Sequence, residues 1–206
     1  MKLFITGIGT DVGKTVASAI VTEALKADYW KPVQAGDLDN SDTHKVKQYV
    51  SNSKTVFHNN SYALTTPASP HMAAAIDDVT IDIKKIKEPK TKNHLVIEGA
   101  GGLLVPLNDN DTIADLLQPD YKVIVVSRHY LGSINHTLLT IEALQQRNIA
   151  IAGIIFNGDE YKPTEEIILK KTGVKLLGRI EDEPFFDATV IRDYANQFKA
   201  QLQALE

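Results

Sequence analysis

The chain has 206 residues, 43% apolar and 23% charged, which is enough for one α/β core and outside the range of a disordered or fibrous protein. Its 22 Lys and Arg against 26 Asp and Glu give a net charge of −4, so no general attraction for nucleic acid or an anionic membrane is expected. The absence of cysteine excludes disulfides, thiolate metal sites and thiol nucleophiles, and cytoplasm is the expected location.

Taken in chain order, residues 3–5 form a short apolar run that meets a Gly-rich loop at once, too short for the apolar region of a signal peptide. Residues 15–26 carry a helical pattern, and residues 29–31 read as a second strand. Residues 34–92 are the least regular part, with Pro67, Pro70 and Pro89 breaking polar runs and a helical piece at 71–76. Apolar, β-branched runs at 95–97, 123–126 and 149–156 have the composition of strands buried on both faces. Between the last two, residues 134–146 repeat Ile134, Leu138, Ile141 and Leu144 on one helix face. A short strand at 174–177 and a helix at 190–204 complete the pattern. Strands alternating with helices predict one α/β domain over residues 1–206, with a mostly parallel sheet flanked by helices and a ligand crevice at the strands' carboxyl ends. No run approaches membrane-spanning length.

The chemistry lies in the loops that leave the carboxyl ends of the strands. In Gly7-Ile8-Gly9-Thr10-Asp11-Val12-Gly13-Lys14-Thr15, glycines let backbone N–H groups turn toward phosphate, Lys14 adds charge near the β and γ phosphates, and Thr15 offers Mg²⁺ a hydroxyl. This is a P-loop, and the fold expected is P-loop NTPase-like. The strict motif would place Gly at Ile8, whereas Gly7 and Gly9 flank it, so the loop is one residue longer. Lys31, ahead of Pro32, reads either as a solvated strand-end lysine or as a second cation facing the phosphates. Asp42 reads either as the N-cap of a helix through Val46 and Val50 or as an acid for the site. Glu98, opening Gly99-Ala100-Gly101-Gly102 after an apolar strand, stands where such enzymes hold a magnesium acid, the alternative being an exposed loop acid. The helix start Gly132-Ser133-Ile134-Asn135 can receive an anionic group on free N–H donors. His136, one turn in, is read as structural. Asn157 offers its amide to an adenine edge or else forms a turn.

Jointly, the loop from Thr6 and Gly7 to Asp11-Val12-Gly13-Lys14-Thr15, with Lys31-Pro32-Val33, Asn40-Ser41-Asp42, Thr66-Pro67-Ala68-Ser69-Pro70-His71, Glu98-Gly99-Ala100-Gly101-Gly102 and Leu131-Gly132-Ser133-Ile134-Asn135-His136, resembles the dethiobiotin synthetase family in order and spacing, as far as about Asn157. The resemblance implies an ATP-dependent cyclo-ligase that converts 7,8-diaminononanoate and CO₂ into a cyclic urea through a carbamate and its phosphoric anhydride. It implies Mg²⁺ on Thr15, Asp42 and Glu98, and catalytic roles for Lys14 and Lys31. Nucleotide contacts would come from Asp11, Val12, Gly13, Lys14, Thr15, Val16, Asp42, Glu98, Gly99, Ala100, Gly101 and Asn157. Substrate would meet Lys31, Ala35 and Gly132, Ser133, Ile134 and Asn135 in a homodimer. Two positions depart from the family: Ala35 where Ser or Thr is usual, and Glu181 where Pro is usual beside the adenine. A corrin-amidating synthetase would need a further cysteine-dependent domain, and a partitioning ATPase a second lysine where Gly9 stands.

Overall fold

In the computed structural model, which describes residues 1–205, β1 (Lys2–Gly7) is covered on both faces, with Phe4 and Ile5 fully buried. Its neighbours are β6 (Leu95–Gly102) on one side and β7 (Tyr121–Arg128) on the other, both parallel to it. Beyond β6 lie β2 (Asp28–Trp30) and β4 (Phe57–His58), and beyond β7 lie β8 (Ala150–Asn157) and β9 (Leu176–Ile180). The resulting sheet has seven strands in the order β4-β2-β6-β1-β7-β8-β9, all parallel, as the unbroken apolar runs predicted.

Parallel neighbours require crossovers, and right-handed ones place a helix on one face or the other according to the direction of travel. Thus α1 (Lys14–Leu25) leads from β1 leftward to β2, while α4 (Ser133–Gln146) and α5 (Lys162–Thr172) carry the chain rightward from β7 to β9. The terminal helix α6 (Ala188–Gln203) returns to pack on α1, and α2 (Asp42–Tyr49) touches both. α5 lies where the sequence pattern gives no helix, because its buried residues are only Thr164, Glu165 and Ile168 and no apolar stripe marks it.

The irregular stretch holds more order than its composition suggests. β3 (Val33–Ala35) pairs with β5 (Tyr62–Leu64) apart from the main sheet, and α3 (Pro70–Ile76) follows. Strands of two or three residues are too short to display a period. The loop after β3 turns at Gly36, whose φ of 71° and 2.5 Å clearance to Pro67 for any added Cβ leave room for no other residue.

Candidate active site

The loop between β1 and α1 closes on Gly13, which has a φ of 92° and caps α1 without help from a side chain. A Cβ there would come 2.4 Å from the Asn157 amide nitrogen, which itself donates to the Val12 carbonyl oxygen at 3.0 Å. The end of β8 therefore buttresses the loop, and that half of the Asn157 amide is spent on the protein rather than on a base. Lys14 is folded back so that its Nζ donates to the Gly9 carbonyl at 2.8 Å. Burial, followed by the positive charge of Lys31, lowers the Lys14 pKa to about 8 from an ordinary 10.5.

Lys31 is not a solvated lysine. It is 3% exposed, and Glu98 is 1% exposed. β2 and β6 run side by side with Trp30 opposite Ile97, so Lys31, just past the end of β2, meets Glu98, the next residue of β6. Nζ of Lys31 lies 2.9 Å from Asp42 Oδ2 and 3.0 Å from Glu98 Oε1, and donates to the Gly99 carbonyl at 3.2 Å. Burial alone would depress this ammonium, but the two carboxylates overcome it and its pKa is raised. Burial pushes the Asp42 carboxyl upward, and the Lys31 charge more than offsets that, leaving it below its ordinary value.

Asp42 does not cap α2. Ser41 does, its Oγ accepting from the His44 N–H while the His44 ring accepts from the Ser41 N–H. A cap one residue earlier puts Asp42 at the first helical position with its carboxylate free to face the loop. Thr15 Oγ1 is 3.0 Å from both Asp42 Oδ1 and Glu98 Oε1. One hydroxyl has one hydrogen, so two carboxylates converge on a group that can satisfy only one of them. This set of hard oxygens suits Mg²⁺, which keeps waters and phosphate oxygens alongside one or two carboxylates. Among the described residues no group of three or more His, Cys, Asp or Glu could hold a metal alone. A magnesium ion here would thus depend on the nucleotide to complete its shell.

These groups face a cavity of about 770 Å³, lined by Lys14, Thr15 and Lys31 together with Gln34, Ala35 and Pro67. Asp11, Val16, Ala100 and Gly101 also line it. Gly132, Ser133, Ile134 and Asn135 line a different cavity, of about 800 Å³, that shares no residue with the first. Gly132, with a φ of 102°, caps α4 without a side chain, and the Ser133 N–H is taken by the Tyr130 carbonyl. The Ile134 and Asn135 N–H groups have no partner within the helix. His136 pairs with the Tyr130 hydroxyl at 2.8 Å, in keeping with a structural role.

Residues that motif reading passes over also belong here. Gln34 is 4% exposed; its Oε1 accepts from the Asp42 N–H and its Nε2 donates to the Gly36 carbonyl. The Tyr29 hydroxyl donates to Glu98 Oε2 at 2.8 Å. The available signal was alternation along β2, which puts Tyr29 on the same face as Lys31.

A Gly-rich strand-to-helix loop, a buried lysine behind it and a carboxylate on the adjacent parallel strand define a P-loop nucleotide-dependent enzyme. Residues 1–189 match the family model described as an AAA domain. A protein of Christiangramia forsetii named ATP-dependent dethiobiotin synthetase is 64% identical over 200 residues, covering 97% of this chain and 96% of its own. Its namesake in Cytophaga hutchinsonii is 50% identical over 196 residues, covering 94% and 95%. The chain belongs to the ATP-dependent dethiobiotin synthetase family. Among solved structures, the cell division ATPase MinD of Pyrococcus furiosus has a TM-score of 0.64, covering 100% of this chain and 99% of that one at 14% identity, a likeness of fold alone.

Proposed function

We propose that the crevice between the loop and Lys31 performs the dethiobiotin synthetase reaction on 7,8-diaminononanoate, CO₂ and ATP. Family membership makes the chain an ATP-dependent cyclo-ligase of biotin biosynthesis. One amine of the diamine adds to CO₂ and loses a proton to give a carbamate. A carbamate oxygen attacks the γ phosphorus and ADP leaves. The second amine then attacks the carbonyl carbon of the anhydride, closing the cyclic urea and expelling phosphate.

Each step asks for positioned charge rather than a protein nucleophile. Lys14 and the loop amides would hold the β and γ phosphates, and Lys31 would face the carbamate and the moving phosphoryl group. Thr15, Asp42 and Glu98 would hold Mg²⁺, which supplies neutralising charge on the phosphate oxygens. The observation that carries this reading is the buried Lys31 ammonium, held between Asp42 and Glu98 at the cavity that also receives Lys14.

The α4 start enters this scheme through a second copy. Because it opens on a cavity separate from that of Lys31, its free amides would take the carboxylate of a substrate bound to the partner of a homodimer. Exposed apolar side chains, Leu131 at this cavity and Leu104 and Leu139 at another that α4 also borders, favour such a contact. A cytoplasmic setting and small-molecule partners, without nucleic acid or membrane, complete the reading. Among the described residues no helix is long and apolar enough to cross a membrane.

The test is stoichiometric. Diaminononanoate with bicarbonate is expected to stimulate ATP consumption and to yield one cyclic urea per ADP, whereas DNA, lipid vesicles and corrin carboxylates leave consumption at its basal rate. ATP use that is indifferent to the diamine would reject the assignment.

A further inference from the structure

The two oxygens of Glu98 have different surroundings. Oε1 faces the crevice, 3.0 Å from Thr15 Oγ1 and 3.0 Å from Lys31 Nζ. Oε2 turns into the core and accepts the Tyr29 hydroxyl at 2.8 Å, in a contact buried from solvent. Tyr29 is 0% exposed and does not line the crevice. Its place follows from register: Tyr29 on β2 pairs with Val96 on β6, and Glu98 is the next residue of β6 on that face. A ring reaches such a diagonal neighbour with ease. Its rim packs against Phe57, 6.1 Å between centroids, which limits how far the hydroxyl can wander.

A core position of this kind would take phenylalanine if volume were all that mattered. The hydroxyl has one donor to give, and it gives it to the acid that the site needs ionised and correctly turned. Without it, Oε2 would lie in a dry interior with no donor, and the carboxylate would relieve that by rotating toward Lys31, which withdraws Oε1 from Thr15.

We propose that Tyr29 is a positioning residue for the magnesium site: its hydroxyl fixes Glu98 through Oε2 so that Oε1 is presented to the metal. The proposal rests on the reading of Glu98 as a metal ligand, and its test separates the two. Mn²⁺ serves as the probe, its binding to the full-length protein with ADP followed by the loss of free-ion paramagnetic resonance signal, so no turnover is involved. Tyr29→Phe is expected to weaken Mn²⁺ binding on the order of 10-fold, as loss of an outer-shell hydrogen bond to a ligand does. ADP affinity without metal should remain within about twofold of the parent, as Tyr29 is buried and does not line the crevice. Replacing Tyr29 by 4-aminophenylalanine, which returns an N–H donor to the same place, should restore most of the Mn²⁺ affinity.

Parent-like Mn²⁺ binding in Tyr29→Phe, alongside weakened binding in Glu98→Gln, would overturn the role of Tyr29 and leave Glu98 as a ligand. Parent-like binding in Glu98→Gln itself would overturn the ligand reading. If Tyr29→Phe does not fold, the amino variant decides alone, and a loss there of about 10-fold, despite the retained donor, rejects the proposal.

Discussion

Two clusters of buried charge lie at the carboxyl ends of the same sheet, and they are built differently. At β2 and β6, one compact ammonium, Lys31, is shared between Asp42 and Glu98 beside an open cavity. At β9 and α5, the Arg179 guanidinium grips Glu165 with two nitrogens, at 2.9 and 2.6 Å, while His129 Nε2 lies 3.0 Å from the same carboxylate. Burial would raise the Glu165 pKa, and the bonds from Arg179 and His129 outweigh it, so the acid stays ionised and occupied. A planar fork locked on a carboxylate has little left to offer a ligand, whereas a point charge held between two acids can be exchanged against phosphate and a metal. The first cluster leaves its charge open to the cavity, and the second ties β9 and α5 to the end of β7.

The largest effect is expected beside the first cluster, at Lys14. Lys14→Ala should lower turnover at least about 1,000-fold, roughly 4 kcal/mol of transition-state stabilisation. The nucleotide-free fold should respond in the opposite sense. Because the folded pKa of Lys14 is about 8 and the ordinary value is 10.5, the unfolded chain binds the proton more tightly, so this lysine opposes folding in full below pH 8 and progressively less up to pH 10.5. A shift of that size corresponds to about 3 kcal/mol. Melting curves should show the variant more stable than the parent at about pH 7 and the gap closing by about pH 10. A constant gap would show that Lys14 is not desolvated in the free enzyme.

Lys31→Gln is expected to cut the maximal rate by roughly 100-fold or more, while nucleotide affinity measured without diamine changes little, since Lys14 and the loop amides already hold the triphosphate. Lys31→Arg should rescue poorly, as the fork does not fit where an ammonium is shared between two acids. Full activity of Lys31→Gln at saturating diamine and bicarbonate would make the two clusters equivalent.

Glu165→Gln tests the other side. Removing one partner of a largely buried pair should cost about 2 kcal/mol of folding stability in denaturant titration, and kcat should remain near the parent value. A rate loss without a stability loss would move this cluster into the functional class. The smallest effect is expected at Asn157, where Asn157→Ala removes the hydrogen bond to the Val12 carbonyl and loosens the loop. About 1 kcal/mol, seen as a several-fold rise in KM for ATP with kcat nearly unchanged, is the expected outcome in steady-state kinetics.

Whatever is contiguous could be read from the residues alone. The loop from Gly7 to Thr15 gathers glycines, backbone amides and a lysine within nine consecutive residues, so its reading as a phosphate cradle needs no distant partner. The apolar runs that became β1, β6, β7 and β8 declared themselves because strands buried on both faces need no second pattern to interpret them. The remainder came from long-range packing. Thr15 and Glu98 are 83 residues apart, and Asn157 and Val12 are 145 apart, and only the parallel register of the sheet and the packing of β8 under the loop bring them together. Motif reading left Lys31 open between solvent and site, and Asp42 between cap and ligand, because a single residue carries no record of its surroundings. Burial between opposite charges removes the solvated reading of the first, and a Ser41 cap one residue upstream removes the cap reading of the second. Tyr29 had no local signal beyond its place two residues before Lys31, since a hydroxyl aimed at a carboxylate on the next strand is a property of the sheet and not of the strand.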